Sequence, residues 1–456
     1  MKLALSEIAQ AVHGRLIGQD LVATGTSIDT RTLLTGDLYI AIKGARFDGH
    51  EFAETAKQSG ACGILTHHEM AVSMPQIVVQ DSHLALAELA GYWRKKLPVK
   101  VAGVTGSNGK TSVKEMIAAI FGRQGKTLFT QGNLNNDIGV PLTLLRLDAS
   151  HHFAVIEMGA NHPGEIAYTS RFAQADVSVI TNIGPAHIEG FGDIDGVAKT
   201  KAEIIENLNG NGVAVLNRDD KYYEFLLHKT GQRQSVSFGF HETAHVRAEN
   251  VSSYLTTQGF VTQFDLQTIH SRQTIRLALA GSHNVKNACA AAAVALQFGI
   301  DLAEIKQALE AVKPVNGRMR ALQGHKGNIV IDDTYNANPA SLQAALDAVK
   351  ETQLPVWLVL GAFGELGINS ATLHADMADM IKGCGVQRLF ATGELARHTT
   401  DAFGENALFF DNQESLIQHL NNAITGKEII LVKGSRAQKM ENVVAALVDN
   451  FYPQGH

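Results

Sequence analysis

Cysteine is almost missing from this chain: Cys62, Cys289 and Cys384 are three in 456 residues, with no CxxC pair. An odd, dispersed set excludes a disulfide scaffold and a zinc ribbon, and it fits a reducing compartment. Proline is scarce at 9, and there is no Pro- or Ser-rich linker, internal repeat or low-complexity stretch. Excess positive charge is lacking too. Lys plus Arg number 39 against 45 Asp plus Glu, a formal charge of −6, so the basic footprint of a nucleic-acid binder is missing at the whole-chain level. The most apolar stretch, Ala288 to Leu296, is alanine-rich and too short to span a bilayer. At the start, Glu7 interrupts any signal-peptide apolar core, while Leu5, Ile8 and Val12 recur at helical spacing. These features predict a cytoplasmic protein with no membrane insertion.

What is present is an ordinary globular balance, 45% hydrophobic and 18% charged, with 42 glycines. At roughly 100–200 residues per domain the length predicts three domains. From about Val99 onward, short apolar strands alternate with amphipathic helices: Val99–Val104, Phe153–Glu157, Val177–Thr181, Val213–Leu216, Ile329–Ile331, Val356–Leu360 and Ile429–Val432. Strands separated by helices imply parallel sheets built from right-handed crossovers. The first part differs, with short runs such as Leu38–Ile42 between turn signals Gly36-Asp37 and Asp48-Gly49. A second break falls at Lys313-Pro314-Val315-Asn316-Gly317, where a helix from about Leu302 to Val312 stops at proline. The expected domains are 1–98, 99–313 and 314–456.

The strongest chemical signal is Val101-Ala102-Gly103-Val104-Thr105-Gly106-Ser107-Asn108-Gly109-Lys110-Thr111-Ser112. An apolar strand leads into it, and a helix follows with Val113, Met116, Ile117, Ile120 and Phe121 on one face. Strand, glycine-rich turn, Lys-Thr and helix is the context of a phosphate-binding loop. Glycines let backbone N–H groups converge on phosphate oxygens, Lys110 neutralises their charge, and the Thr111 hydroxyl suits Mg²⁺. Five residues rather than four separate Gly103 from Gly109-Lys110, a departure from the general spacing.

Glu157 ends a buried run, at the strand end where doubly wound sheets place their ligands. His187 lies in the loop after the next strand and is a candidate neutral metal ligand. Lys199 and Lys201 follow on a helix, two apart, so at most one of them faces the site. A lysine beside a metal is repelled unless its amine is neutralised or modified. His67-His68 and His151-His152 show no metal-ligand spacing and are expected to face solvent. No GxSxG elbow is present.

Together, Gly103 to Thr111, Glu157 and the Asn182…His187 loop resemble the ATP-dependent Mur ligases of peptidoglycan synthesis, which share their architecture with folylpolyglutamate synthases. The resemblance covers essentially the whole chain. Gly132 to Thr143, Met158 to Ile166, Asp332-Asp333-Thr334-Tyr335-Asn336-Ala337-Asn338-Pro339 and Lys433-Gly434-Ser435-Arg436 are most similar to the branch that adds D-alanyl-D-alanine to UDP-N-acetylmuramoyl-tripeptide. The Asp-Asn-Pro-Arg signature of the sister ligase adding a diamino acid is absent. The resemblance implies an α/β protein of three domains: a small N-terminal domain for the UDP-sugar, a central P-loop ATPase-type parallel-sheet domain, and a C-terminal Rossmann-like domain that binds the dipeptide and closes over ATP. It implies a monomer that uses ATP and two Mg²⁺ ions, and an acyl-phosphate intermediate.

It also implies roles residue by residue. Gly106, Ser107, Asn108, Gly109, Lys110, Thr111 and Ser112 hold the nucleotide phosphates. Thr111 and Glu157 ligate one Mg²⁺. His187 and a carbamoylated lysine, Lys201 in preference to Lys199, ligate the other. Asn287, with His283 nearby, contacts adenine, and Asp333 the ribose. Arg318 reaches the phosphates on closure. Asn135 and Asn136 bind substrate, and Tyr335 and Asn338 sit beside the nucleotide or the incoming dipeptide. Ser27, Thr30, Arg31, Asp48 and His50 resemble the uridine-sugar site, with structural turns an equal alternative for Asp48 and His50. Leu360-Gly361-Ala362-Phe363-Gly364-Glu365 departs from the family pattern, because Ala362 stands where relatives carry Asp; any polar role is lost or moves to Glu365.

Overall fold

The computed structural model describes residues 1–44, 47–186, 188–256, 259–350, 352, 354–364, 366–367 and 369–449. Three main sheets follow one another along the chain. The first has five strands, β1 (Arg15–Ile17), β2 (Gly25–Ser27), β3 (Asp37–Ile40), β4 (Gly63–Thr66) and β5 (Gln76–Val78), in the order β1-β5-β4-β3-β2. All of its pairs are parallel except β1 with β5.

The central sheet has nine strands: β6 (Lys100–Thr105), β7 (Thr127–Phe129), β8 (Phe153–Glu157), β9 (Val177–Ile180), β10 (Val213–Asn217), β11 (Ser235–Gly239), β12 (Val246–Thr256), β13 (Gly259–Gln267) and β14 (Arg272–Leu277). Their order is β14-β13-β12-β11-β10-β9-β6-β8-β7. Strands β6 to β12 pair in parallel, as their continuous apolar runs require when helices cover both faces. The antiparallel ladder of β12, β13 and β14 was not anticipated. Its members alternate buried and exposed residues instead of forming apolar runs.

The third sheet comprises β15 (Arg320–Gln323), β16 (Ile329–Asp333), β17 (Val356–Gly361), β18 (Val386–Thr392), β19 (Ala407–Phe410) and β20 (Ile429–Lys433), in the order β15-β16-β20-β17-β18-β19. Only β15 runs antiparallel to its neighbour. No described helix is long and apolar enough to cross a membrane.

The order in the central sheet locates the site. After β6 the chain goes out to β7 and back to β8 on one side, then crosses to β9 and β10 on the other. Direction therefore reverses around β6, and the carboxyl ends of β8, β6 and β9 open onto a crevice where such sheets bind ligands. Helix α1 (Lys110–Gln124) starts there and buries Val113, Met116, Ile117, Ile120 and Phe121, the face read from the sequence. Helices α2 (Ile194–Glu206), α3 (Gly281–Gln297) and α4 (Pro339–Lys350) complete the surroundings. The alanine run of α3 is fully buried, which lets its backbone approach α1 closely.

Candidate active site

Between β6 and α1 the chain makes a tight glycine turn. Gly106 has φ +147°, and a Cβ there would sit 1.9 Å from Thr181 Oγ1; Gly109 has φ +79°, and a Cβ would meet Asn287 Oδ1 at 2.5 Å. Both positions need glycine for conformation and for space. The loop is held from β9: Ser107 N–H donates to Asn182 O (2.9 Å), Asn108 N–H to Asn182 Oδ1 (3.0 Å), and Asn182 Nδ2 returns a bond to Asn108 O (3.0 Å). Ser107 Oγ donates to Gly184 O at 2.9 Å. Lys110 folds back onto its own loop, its Nζ donating to Gly106 O (2.7 Å) and Ser107 O (3.2 Å). Burial lowers the affinity of that amine for its proton, with Arg318 adding to the effect and Glu157 opposing it.

Glu157 is buried at the carboxyl end of β8. Its Oε1 accepts from Asn135 Nδ2 at 2.9 Å and lies 3.5 Å from Thr111 Oγ1. Its Oε2 is buried with no hydrogen-bond partner. An orphaned carboxylate oxygen in the interior is costly and requires a partner. With the Thr111 hydroxyl it offers hard oxygen donors, the chemistry that Mg²⁺ requires.

The two lysines differ in burial: Lys201 on α2 is buried, with its Nζ 5.5 Å from the Phe191 ring centroid, and Lys199 is exposed. Burial, and secondarily the charge of Lys110, bring the Lys201 amine down to about 7. It is thus substantially neutral near neutrality, as modification of an amine by a carboxyl donor requires. His187 lies outside the described residues.

Two connected clefts meet over this loop. The first, about 340 Å³, is lined by Asn108, Gly109, Ser112, Asn182, His283, Asn287, Arg318, Asp333, Ser341 and Lys433, among others. Burial lowers the His283 imidazole to about 4, leaving it neutral. Asp333, at the end of β16, accepts from Lys433 Nζ at 2.5 Å and from Met319 N–H at 3.2 Å. The second cleft, about 270 Å³, gathers Ser107 to Thr111, Asn135, Asn136, Glu157, Glu165, Arg318, Tyr335 and Asn338. The Arg318 guanidinium stacks on Tyr335, 4.1 Å from the ring centroid, and its Nε is buried without a hydrogen-bond partner. Asn338 Nδ2 donates to Asn108 Oδ1 at 2.8 Å, tying the third sheet to the glycine loop.

Most of the expected site residues therefore converge at one place. Those of the first sheet do not line either cleft. Ser27 Oγ donates to Asp29 O, Arg31 is exposed and forks onto Asp29, Thr30 sits in the same turn, and Asp48 caps the turn at His50. Ala362 is buried and its carbonyl accepts from Ser435 Oγ at 2.7 Å, while Glu365 lies outside the described residues. Lys433 and Glu165 both lie in stretches singled out from the sequence but carried no assigned role there; a lysine at the end of an apolar strand was the available signal for the first.

The chain is similar to known proteins along nearly its whole length. The Mur ligase middle domain matches residues 104–295, the Mur ligase glutamate ligase domain 317–436, and the Mur ligase family catalytic domain 22–94. The UDP-N-acetylmuramoyl-tripeptide--D-alanyl-D-alanine ligase of Escherichia coli is 40% identical over 453 residues, 99% of each chain. The crystal structure of MurF from Acinetobacter baumannii superposes with a TM-score of 0.91 at 35% identity, covering 98% of both chains. MurF from Thermotoga maritima in complex with ADP gives 0.83 at 28% identity, over 92% of this chain and 96% of that one.

Proposed function

This chain belongs to the Mur ligase family, an ATP-dependent ligase family, and from that premise we propose that it joins D-alanyl-D-alanine to UDP-N-acetylmuramoyl-tripeptide. The reading places 1–98 as the UDP-sugar domain, 99–313 as the ATP domain, and 314–456 as the domain that receives the dipeptide and closes. It makes the protein a cytoplasmic monomer acting at the last peptide-addition step of a peptidoglycan precursor. The observation that carries it is the Glu157 oxygen without a hydrogen-bond partner, in the same cleft as the phosphate loop and as Arg318, whose Nε also lacks one.

Making an amide in water requires an activated carboxyl. In the first step an oxygen of the tripeptide carboxylate attacks the γ-phosphorus, the bond to ADP breaks, and an acyl phosphate results. The backbone N–H groups of Gly109 to Ser112 and the amine of Lys110, released from Gly106 O and Ser107 O, hold the phosphates, while the Ser107 and Asn108 N–H groups stay on Asn182 and fix the loop. Arg318 meets charge on the transferred phosphoryl group, which is mainly a matter of positioning and neutralisation. Thr111 and Glu157 would hold one Mg²⁺, and His187 with carbamoylated Lys201 a second, supplying charge neutralisation at the phosphate oxygens. A carbamate replaces a repelled cation with an anionic oxygen donor.

In the second step the dipeptide amine attacks the acyl carbon and phosphate leaves. Asn135 and Asn136 are assigned to substrate, and Tyr335 and Asn338, in the same cleft, to the nucleotide or the dipeptide. Asn287 and neutral His283 line the adenine end, and Asp333, oriented by Lys433, takes the ribose. Ser27, Thr30, Arg31, Asp48 and His50 are assigned to the uridine-sugar. The test is phosphate release from ATP and Mg²⁺ with UDP-N-acetylmuramoyl-tripeptide, with and without D-Ala-D-Ala. Dipeptide-dependent release with a pentapeptide product by mass is expected. Release with a different amino acid instead would move the assignment to a sister ligase.

A further inference from the structure

The first sheet carries a three-histidine cluster in which His50, with Asp48 behind it, is assigned to the uridine-sugar, while His67 and His68 have no part in the ligation reading. Strand β4 ends at Thr66, whose hydroxyl donates to His68 O at 2.9 Å and fixes the turn that presents His67 and His68. From the neighbouring strand β3, Tyr39 Oη donates to Gly49 O at 2.9 Å and pins the turn carrying His50. The three rings come together with centroid separations of 4.1, 5.0 and 4.8 Å. One ligand nitrogen from each lies within 4.8 Å of the other two, and this is the one such group of metal-ligating side chains among the described residues. The expectation of solvent-facing His67 and His68 holds, since both are exposed. Their spacing hid the partner 17 residues upstream, which only the topology brings in.

His50 is built as a ligand would be. It is buried, and its Nδ1 is 2.6 Å from Asp48 Oδ1. A carboxylate on Nδ1 fixes the proton there and turns the lone pair of Nε2 outward, the arrangement that orients metal-bound histidines. The partner shown for that lone pair is His67 N–H at 3.5 Å, the outer edge of a hydrogen bond. We propose that His50, His67 and His68 form a site for a divalent transition-metal ion of the zinc class, separate from the Mg²⁺ sites of the ligation centre. Three imidazole nitrogens select such ions over Mg²⁺ and Ca²⁺, which require oxygen. Zinc–nitrogen bonds of about 2.0–2.1 Å bring tetrahedral ligand nitrogens to about 3.3 Å apart. The two exposed rings supply the closure from today's spacing at small cost, because neither is packed in a core. Asp48 carries the balancing negative charge; Lys43 Nζ, 3.7 Å from its Oδ2, opposes it from an exposed position.

The test uses the full, tag-free chain stripped by chelator, in excess Mg²⁺ to fill oxygen sites, titrated with Co²⁺ at equimolar metal. The wild-type chain is expected to bind one more equivalent than the His67→Ala, His68→Ala double variant, with ligand-field absorption that the variant lacks. Asp48→Asn is expected to weaken binding about 10–100-fold by removing the carboxylate behind His50. The double variant keeps its circular dichroism and its phosphate release, which separates this site from the ligation centre. Equal Co²⁺ stoichiometry in wild type and double variant, or a difference seen only at large metal excess, overturns the proposal.

Discussion

The two walls of the active-site cleft are assembled differently. Lys110, Thr111, Glu157 and the glycine loop all come from one sheet, at the ends of strands β6 and β8, which are hydrogen-bonded to each other residue by residue. Arg318, Asp333, Tyr335, Asn338 and Lys433 come from another sheet, and Asn338 reaches Asn108 across the gap. The first wall is set by backbone pairing and holds a geometry that phosphate chemistry cannot let vary. The second comes from a different part of the chain, after Pro314, and in the proposed function it arrives after substrates and excludes water. Affinity for nucleotide phosphates should therefore reside mainly in the first wall and turnover should need both.

Substitutions that hit one wall at a time break or sharpen that contrast. Lys110→Met should lower turnover by about 10³-fold or more and weaken nucleotide binding with the fold intact; turnover within tenfold of wild type would remove the loop from the chemistry. Arg318→Ala should reduce kcat by about 10²-fold while the KM for ATP moves less than about threefold. If it abolished ATP binding in a folded chain, the second wall would belong to binding and the contrast would fail. Asn338→Ala removes one neutral cross-cleft hydrogen bond worth about 1 kcal/mol, so kcat should fall about fivefold with thermal stability nearly unchanged.

The smallest effect is on stability. The Lys201 amine titrates at about 7 when folded and 10.5 when unfolded. Between those values the unfolded chain binds the extra proton, so stability rises with pH across that window; the penalty is full below about 7 and gone above 10.5. In metal-free, CO₂-free buffer, Lys201→Met should melt higher than wild type at pH 6 by several degrees, with the gap closing toward pH 10. A gap independent of pH would mean the amine is not desolvated.

Much of this architecture was legible in the letters. The apolar runs that became β8, β9, β17 and β20 were visible because a buried parallel strand has no polar face to conceal it. Their carboxyl ends pointed to Glu157, and helical facing favoured Lys201 over Lys199, which burial supports. The β12–β14 ladder was not visible, since half-exposed antiparallel strands show only weak alternation. The Lys433–Asp333 pair spans 100 residues and the His50–His67 approach 17, and no local pattern encodes either. Such contacts are products of strand order, which composition and periodicity do not specify.

The most direct measurement concerns the acyl phosphate. UDP-N-acetylmuramoyl-tripeptide labelled with ¹⁸O in its terminal carboxylate is turned over with ATP, Mg²⁺ and D-Ala-D-Ala, and the released phosphate is weighed by mass spectrometry. Ligation through carboxyl activation transfers one labelled oxygen to each phosphate and leaves the other in the new amide carbonyl. Unlabelled phosphate accompanying an unchanged tripeptide would contradict it, leaving a nucleotide hydrolase on a ligase scaffold.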